Sequence, residues 1–487
     1  MVLPNGPQVS KTVHNGNRPS IRYHRPMPRV TAANDRASDP SASYVTYWMT
    51  SYRRRSSNFA LQRAVHWATE LRKPLLVVEA LNRDYPWASP RIKAAIVQGM
   101  EDNIKAFRGS AATYCPYVEP KHPKSRGLIH ALAKESCVVV TDDFPAFEIP
   151  RWTEAVAARS PVLVEKVDSN GLFPMRAADR VFVTAYSFRR FLQKSLRPYL
   201  DDFPLPDCLR GVDLPKLVPP AALQEGWPVA APRESFRGGP VAAQARLQSF
   251  LGEGIDVYAE TRNQPESKGP SGLSPYLHFG HISTHEIFLA VAAKERWTAE
   301  KLGARADGSR VGWWGMRADA EAFLDQLVTW REIGFNMCAL GENPFSYDSL
   351  PDWARKTLSE HAGDSRPVMY SPSQFESSET HDDLWNAAQR QLVTEGRIHN
   401  YLRMLWGKKI LEWSPSPEVA LETMIHLNNK YALDGRDPNS YSGIFWTLGR
   451  YDRPWAPVRP IFGSIRYMSS DNTARKLRVK DYLARYK

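Results

Sequence analysis

The chain has 487 residues, with 43% hydrophobic side chains and a formal net charge of +12. That length and apolar content suit two or three domains with real cores. The absence of any run of about 18 apolar residues argues against a membrane-spanning helix. The excess of Lys and Arg suits an anionic partner, nucleic acid foremost, although a basic surface with no such role accounts for the charge equally well. Cys115, Cys137, Cys208 and Cys338 are scattered, with no CxxC and no Cys/His cluster. Zinc and iron–sulfur sites are therefore not expected, and a reducing, cytoplasmic setting is.

Residues 1–43 are polar, basic and rich in Pro and Asn, without the apolar segment of a secretory signal. They read as a flexible tail, with a mitochondrial transit peptide as the weaker alternative. Residues 44–167 then alternate β-rich and helical runs. Tyr44–Thr50, Pro74–Ala80, Thr113–Glu119, Cys137–Asp142 and Pro161–Val167 are the strands. Asn58–Arg72, Arg91–Arg108, Gly127–Glu135 and Pro150–Arg159 are the helices. This rhythm, with near-continuous apolar strands, predicts an α/β domain with a doubly wound parallel sheet. No GxGxxG follows the first strand, so the dinucleotide fingerprint is missing. Ligands of such sheets sit beyond the strand C-termini, which here means Thr50–Arg55, Ala80–Tyr85 and Thr141–Phe144. Residues 168–245 are irregular and proline-rich toward their end, a semi-rigid interdomain linker. From residue 246 to 487 the pattern is helical, which predicts an all-α C-terminal domain.

Within that domain four constellations carry chemistry. In the run Ser271–Ser283 (SGLSPYLHFGHIS), Ser274-Pro275 reads as an N-cap with proline at N1, and Ser283 with Glu286 as a capping box. A helix start preceded by Ser and Gly also offers free N–H groups to a phosphate. Gln326 and Trp330 are four apart and share a helix face. Trp406 and Trp413 are seven apart on one face, while Trp385 lies 21 residues before Trp406, about 31 Å away on a straight helix. Contact between them requires a chain reversal, for which Glu395-Gly396 is the natural place. Asp434, Gly435 and Asp437-Pro438-Asn439 are turn formers rather than an acid/base pair. The last residues, Arg450–Lys487, are basic, with Trp455 and Tyr467 interleaved. Buried core indoles and a solvated basic face would explain much of this pattern on their own.

The run DDLWNAAQRQLVTEGRIHNYLRMLWGKKILEW, the segment Ser271–Ser283 and GSIRYMS near the end resemble the class II cyclobutane pyrimidine dimer photolyases, and the likeness covers roughly residues 44–487. The resemblance implies FAD in the helical domain, held by Tyr258, Ser271, Gly272, Leu273, Ser274, Arg403 and Asp434, with Asn428 facing the flavin. Gly272 stands where the family usually has Asn. It implies an electron chain with Trp406 proximal, Trp385 middle and Trp413 distal. It places Arg262, Trp330, Met404, Trp446 and Arg466 at the DNA lesion, with Trp330 and Trp446 as opposing walls and Arg466 filling the gap left by an extruded dimer. Gln326 matches a position that is usually Glu and contacts the thymine edge; Gln keeps a donor but carries no charge. The implied activity is light-driven electron transfer from reduced FAD to a cyclobutane dimer in ultraviolet-damaged DNA, catalysed with Gln326, Asn428 and Arg262 and without a metal. Base flipping by photolyases is a known example of extrusion from the stack. An antenna chromophore, deazaflavin or folate, would sit in the α/β domain, and a monomer is the implied state. The single histidine in Arg397–Arg403 argues against a (6-4) enzyme. The alternative is a cryptochrome-like flavin photoreceptor without repair activity, which Gln326 alone favours; a light-independent nucleic-acid-binding protein is the remoter alternative.

Overall fold

The computed structural model describes residues 28–82, 84–120, 127–223, 236–267 and 269–487. Among these residues six strands form one sheet: β1 (Val30–Ala32), β2 (Tyr44–Met49), β3 (Leu75–Leu81), β4 (Thr113–Val118), β5 (Ser136–Asp142) and β6 (Val164–Val167). Their order is β1-β6-β5-β2-β3-β4, with β1 antiparallel to β6 and the other pairs parallel. Alternate residues of β2, β3 and β5 feed two separate cores. Val45, Tyr47, Met49, Val77 and Val140 pack under the helix Phe59–Leu71, and Trp48, Leu76, Val78 and Val139 pack on the other face. Both faces are covered, which is why these strands read as unbroken apolar runs. Asn58 caps the helix Phe59–Leu71 by accepting from the N–H groups of Ala60 and Leu61.

Two boundaries differ from the sequence reading. The segment taken as a tail, 1–43, contributes β1 within its described part; Val30, Thr31 and Ala32 pair with Val167, Lys166 and Glu165. Arg29 anchors that strand through the carbonyls of Gly171 and Leu172 at 3.1 and 2.7 Å. Residues 1–27 lie outside the described residues. Among its described residues the linker 168–245 contains the α-helix Ala185–Ser195 and the start of another, Pro240–Ser249. Residues 204–223 of its proline-rich portion lie against the α/β domain, setting Leu209 and Leu214 into one core and Leu223 into the other. Residues 224–235 of it are not among those described.

The sheet's switch point lies between β2 and β5, where chain connections diverge and a crevice is expected. Here the chain fills it. Asp142 accepts from the backbone N–H groups of Thr50, Ser51 and Tyr52 at 2.8, 2.6 and 2.9 Å and from the Tyr47 hydroxyl at 2.7 Å. The loop so formed docks on the helical domain. Arg54 donates to the Gly280 carbonyl at 2.9 Å, and a Cβ at Gly280, whose φ is +68°, would lie 1.8 Å from the Ser51 carbonyl oxygen. The ligand position expected at Thr50–Arg55 is therefore corrected: it is a domain interface. Beyond β6 the described chain is helical, apart from two isolated bridges.

Candidate functional site

The helical domain is built so that its central helices turn indoles inward. The helix Asp383–Glu395 is capped by Asp382, which accepts from the Trp385 N–H at 2.9 Å, and it ends at Gly396 in the left-handed region (φ 68°). The chain reverses there, and the helix Asn400–Trp413 runs back along it. The reversal brings the three tryptophans together. The Trp385 indole N–H donates to the Trp406 carbonyl at 3.0 Å, and the Trp406 indole N–H donates to Gln389 Oε1 at 2.8 Å. The Trp385 and Trp413 ring centroids are 6.0 Å apart, nearly edge to face. All three are buried.

The first turns of the helix Asn400–Trp413, through Tyr401, Arg403 and Met404, border a cavity of about 1230 Å³. Its lining includes Arg262, Gln326, Trp330, Arg403, Met404, Trp446 and Arg466. These residues come from five separated stretches of sequence, so the expected lesion set converges on one space. Gln326 and Trp330 reach it from a π-helical segment, Asp325–Trp330, rather than from the regular helix the spacing predicts. Trp446 arrives from the helix Pro438–Thr447, which Asp437 caps by accepting from the Asn439 N–H at 2.9 Å. The reading of Asp434–Asn439 as a turn holds: Arg436 has φ 63° and turns its buried guanidinium onto the carbonyls of Asn429 and Ala432.

Tyr258, Ser271, Gly272, Leu273, Ser274, Asn428 and Asp434 do not line this cavity, and they divide into groups. Asp434 is the hub of one. Arg403 donates to it at 2.9 Å, and the Ser274 hydroxyl donates to its other oxygen at 2.8 Å. Burial pushes the Asp434 carboxyl up, but the Arg403 guanidinium and the two hydrogen bonds outweigh it, so its pKa lies below the usual value. Ser274 is thus not an N-cap: it is the first residue of the helix Ser274–His278, the cap position falls on Leu273, which has no side-chain acceptor, and the Ser274 hydroxyl donates to Asp434 instead. Ser283 and Glu286 do form the capping box. Gly272 has φ 66°, a left-handed backbone that glycine adopts without strain. Arg246 braces the same turn by donating to the Ser271 and Pro270 carbonyls. Asn428 donates to the Ser440 hydroxyl at 2.6 Å, and Tyr258 packs edge-on against Phe323 with the Arg262 guanidinium 5.9 Å above its ring.

Several buried polar atoms beside the cavity have no hydrogen-bond partner among the described residues. Arg403 Nε and His399 Nδ1 are two of them. His399 turns its other nitrogen to the Arg262 carbonyl at 3.0 Å, and burial pulls its pKa down to about 4, so the ring is neutral. Arg403 lines the cavity, so a polar ligand there could meet its open Nε–H.

The mouth of the cavity is basic. Arg262, Arg310, Arg453, Arg459 and Lys476 line it and form no ion pair among the described residues. Arg466 is differently placed from a free wedge. It donates twice to Asp452, at 2.8 and 3.0 Å, and lies 3.8 Å over Trp455 and 5.5 Å from the Trp446 centroid. Sequence reasoning missed Asp452, the buried pair Arg189–Asp325 (2.7 Å) that fixes the wall carrying Gln326, and Lys408 beneath Trp446. The partners of these groups are far away in sequence, so no local spacing announces them. Among the described residues no cluster of three or more His, Cys, Asp or Glu is placed to hold a metal, and no helix is long and apolar enough to cross a membrane.

No known family model matches the chain. It is 33% identical over 463 residues to the deoxyribodipyrimidine photo-lyase of Methanothermobacter thermautotrophicus, covering 94% of this chain and 97% of that one. The protein of the same name from Oryza sativa subsp. japonica is 35% identical, with 90% and 87% covered, and that from Potorous tridactylus 32%, with 95% and 84% covered. A bacterial class III photolyase from Agrobacterium tumefaciens shares the fold, with a TM-score of 0.65 at 18% identity over 92% of this chain and 87% of the other.

Proposed function

The chain belongs to the deoxyribodipyrimidine photo-lyase family, and from that premise we propose that it repairs ultraviolet-damaged DNA in a light-dependent reaction on cyclobutane pyrimidine dimers. The observation that carries the reading is the single cavity shared by Trp330, Trp446, Gln326 and Arg262 beneath a basic mouth. The class II assignment rests on the motif runs Ser271–Ser283, Asp382–Trp413 and Gly463–Ser469.

FAD fits the residues present. Arg403 Nε and His399 Nδ1 are unsatisfied, and Asp434 is held ionised between Arg403 and Ser274. Arg403, Asp434, Asn428, Tyr258 and the turn Ser271–Ser274 would hold it. When bound and reduced, FAD supplies a light-driven electron that splits the cyclobutane ring and is then returned. The protein's part is to bind, orient and dry the site. Trp330 and Trp446 stack on the two bases of an extruded dimer, each contact contributing ~1–3 kcal/mol. Gln326 presents amide donor and acceptor atoms to the base edges, and Arg262 presents charge. The free cations of the mouth track phosphates, which gives sequence-independent and salt-sensitive affinity. An unpaired dimer costs less to extrude than a paired base, so selectivity has a physical source. Trp406, Trp385 and Trp413 form the route by which electrons reach the cofactor to reduce it. On the same resemblance, a deazaflavin or folate antenna belongs to the α/β domain. The photoreceptor alternative rests on Gln326 alone, while both indole walls and Arg466 are present.

The test is repair itself. Photoreduced protein and a thymine-dimer oligonucleotide are incubated in blue light and in darkness. Light-dependent loss of dimers is expected. A yellow, reducible protein that repairs nothing would overturn this function in favour of the photoreceptor.

A further inference from the structure

Lys408 is the least expected residue in the helical domain. It sits on the helix Asn400–Trp413, two positions after Trp406, and its side chain is 0% exposed. Among the described residues its ammonium makes one hydrogen bond, to the Thr447 carbonyl at 2.6 Å. It also lies 4.9 Å from the centroid of the Trp446 ring. Trp446 lines the cavity and Lys408 does not, so the ammonium meets the ring from outside the cavity lining.

Burying an ammonium is costly, and burial pulls this one down to about 7. Capping the end of the helix Pro438–Thr447 does not by itself require a cation, since a neutral amide donor satisfies the same carbonyl. What the charge adds is attraction to the face of an aromatic ring, strongest where water is excluded. The two contacts act on consecutive residues: one fixes the backbone at Thr447, the other the ring at Trp446. The surroundings are equally fixed. A Cβ at Gly407 would come within 2.5 Å of Thr447 Cγ2 and 3.1 Å of the Met424 sulfur, so the two helices cross at close range there. On the cavity side, Arg466 is held by Asp452 and lies 5.5 Å from the same ring.

We propose that Lys408 is a positioning residue for lesion recognition, holding the Trp446 indole from behind at the angle at which it stacks on an extruded pyrimidine dimer. The inference rests on Trp446 being a wall of the dimer pocket. It assigns to an interior lysine, which never touches DNA, part of the discrimination between damaged and undamaged strands.

The experiment compares the flavin-loaded full chain with Lys408→Gln and Lys408→Met. The Kd is measured at pH 6, where the Lys408 ammonium is protonated, for one oligonucleotide with and without a thymine dimer. Gln keeps a donor for the Thr447 carbonyl but removes the cation; Met removes both. Both variants are expected to lose discrimination by about three- to tenfold, through weaker binding of the damaged strand alone. The flavin spectrum and, for Lys408→Gln, the Tm should be unchanged. In a Trp446→Ala background the same substitutions should add nothing, because the ring through which Lys408 acts is gone. Full discrimination in Lys408→Gln would overturn the proposal, leaving the lysine as a helix cap. So would a loss that persists undiminished in the Trp446→Ala background. Failure of the wild-type protein to prefer the damaged strand would instead sink the repair reading itself, and this inference with it.

Discussion

Replacing Glu332 with glutamine should reshape the pH dependence of folding. Glu332 follows the cavity-wall residue Trp330 by two positions and is buried against the connector between the domains. Its carboxylate accepts from the Leu172 and Phe173 N–H groups at 2.8 and 3.2 Å, and a Cβ at Gly171 would lie 2.5 Å from its carboxyl carbon. Burial pushes its pKa from 4.5 up to about 7, against the pull of those two hydrogen bonds, Arg331 and Arg29. Below pH 4.5 both folded and unfolded chains hold the proton. Between 4.5 and 7 the unfolded chain releases it while the folded chain keeps it, so stability falls as pH rises; above 7 the curve is flat for this group. The loss between pH 5 and 8.5 is about 2–3 kcal/mol. Glutamine cannot ionise, but its amide nitrogen faces an N–H where an oxygen stood, which costs about 1–2 kcal/mol at any pH. The variant is therefore less stable than the wild type at pH 5, and the gap closes or reverses by pH 8.5. Urea denaturation followed by tryptophan fluorescence at pH 5, 6, 7 and 8.5 measures it. Taking the difference between the two proteins cancels the buried histidines His281 and His285, whose lowered pKa values act in the opposite direction. Parallel curves across that range would refute the assignment of this ionisation to Glu332.

Gly280→Ala should cost about 3 kcal/mol or more, because its Cβ meets the Ser51 carbonyl at 1.8 Å in a left-handed backbone; a Tm equal to the wild type's would mean the domains do not dock as described. Trp385→Phe should slow photoreduction of the oxidised flavin while leaving repair by chemically reduced protein intact, and unchanged photoreduction would remove Trp385 from the electron route. Trp446→Ala should weaken dimer binding by ~5–100-fold, corresponding to one lost stacking contact, with undamaged DNA bound as before; equal losses on both strands would argue against a lesion wall. Gln326→Glu should raise the repair yield per absorbed photon with little change in Kd, and an unaltered yield would show that a charge at this position is immaterial here.

The five parallel strands were legible because each is a run such as CVVVTD or PLLVVEA, apolar on both faces and bounded by turn residues. β1 was not, since Val30–Ala32 is too short to carry a period and borrows its definition from β6. The helix Ala185–Ser195 hid in the connector because its run FRRFLQK looks solvated. Phe188 and Leu192 are nevertheless buried, and Arg189 is buried with them through Asp325, 136 residues away. Ser274 shows the same limit at the site. Its local context is a cap, but the hydroxyl went to Asp434, and a partner 160 residues distant leaves no trace in spacing. The walls and the indole trio were readable as a set because their residue types are rare in that density, whereas Glu332 and Lys408 are common residues made unusual only by burial.

The indoles of the helical domain are treated in two ways, and the difference agrees with the roles proposed for them. Trp446, which need only stack, has a lysine behind it and an arginine beside it. Cations near a ring make removal of an electron from it harder; Arg466 is paired with Asp452, so the effect at this wall falls to Lys408 in its protonated form. Trp385 and Trp406 are surrounded otherwise: their N–H groups meet neutral acceptors, the Trp406 carbonyl and Gln389 Oε1. Such acceptors stabilise positive charge on an indole that has given up an electron. Trp413 has Lys409 5.2 Å from its ring, but that ammonium is paired with Glu412 at 2.7 Å, which offsets much of its field. A chain that must pass electrons and a wall that must not are thus separated by charge placement along one helix, with Trp406 and Lys408 only two residues apart.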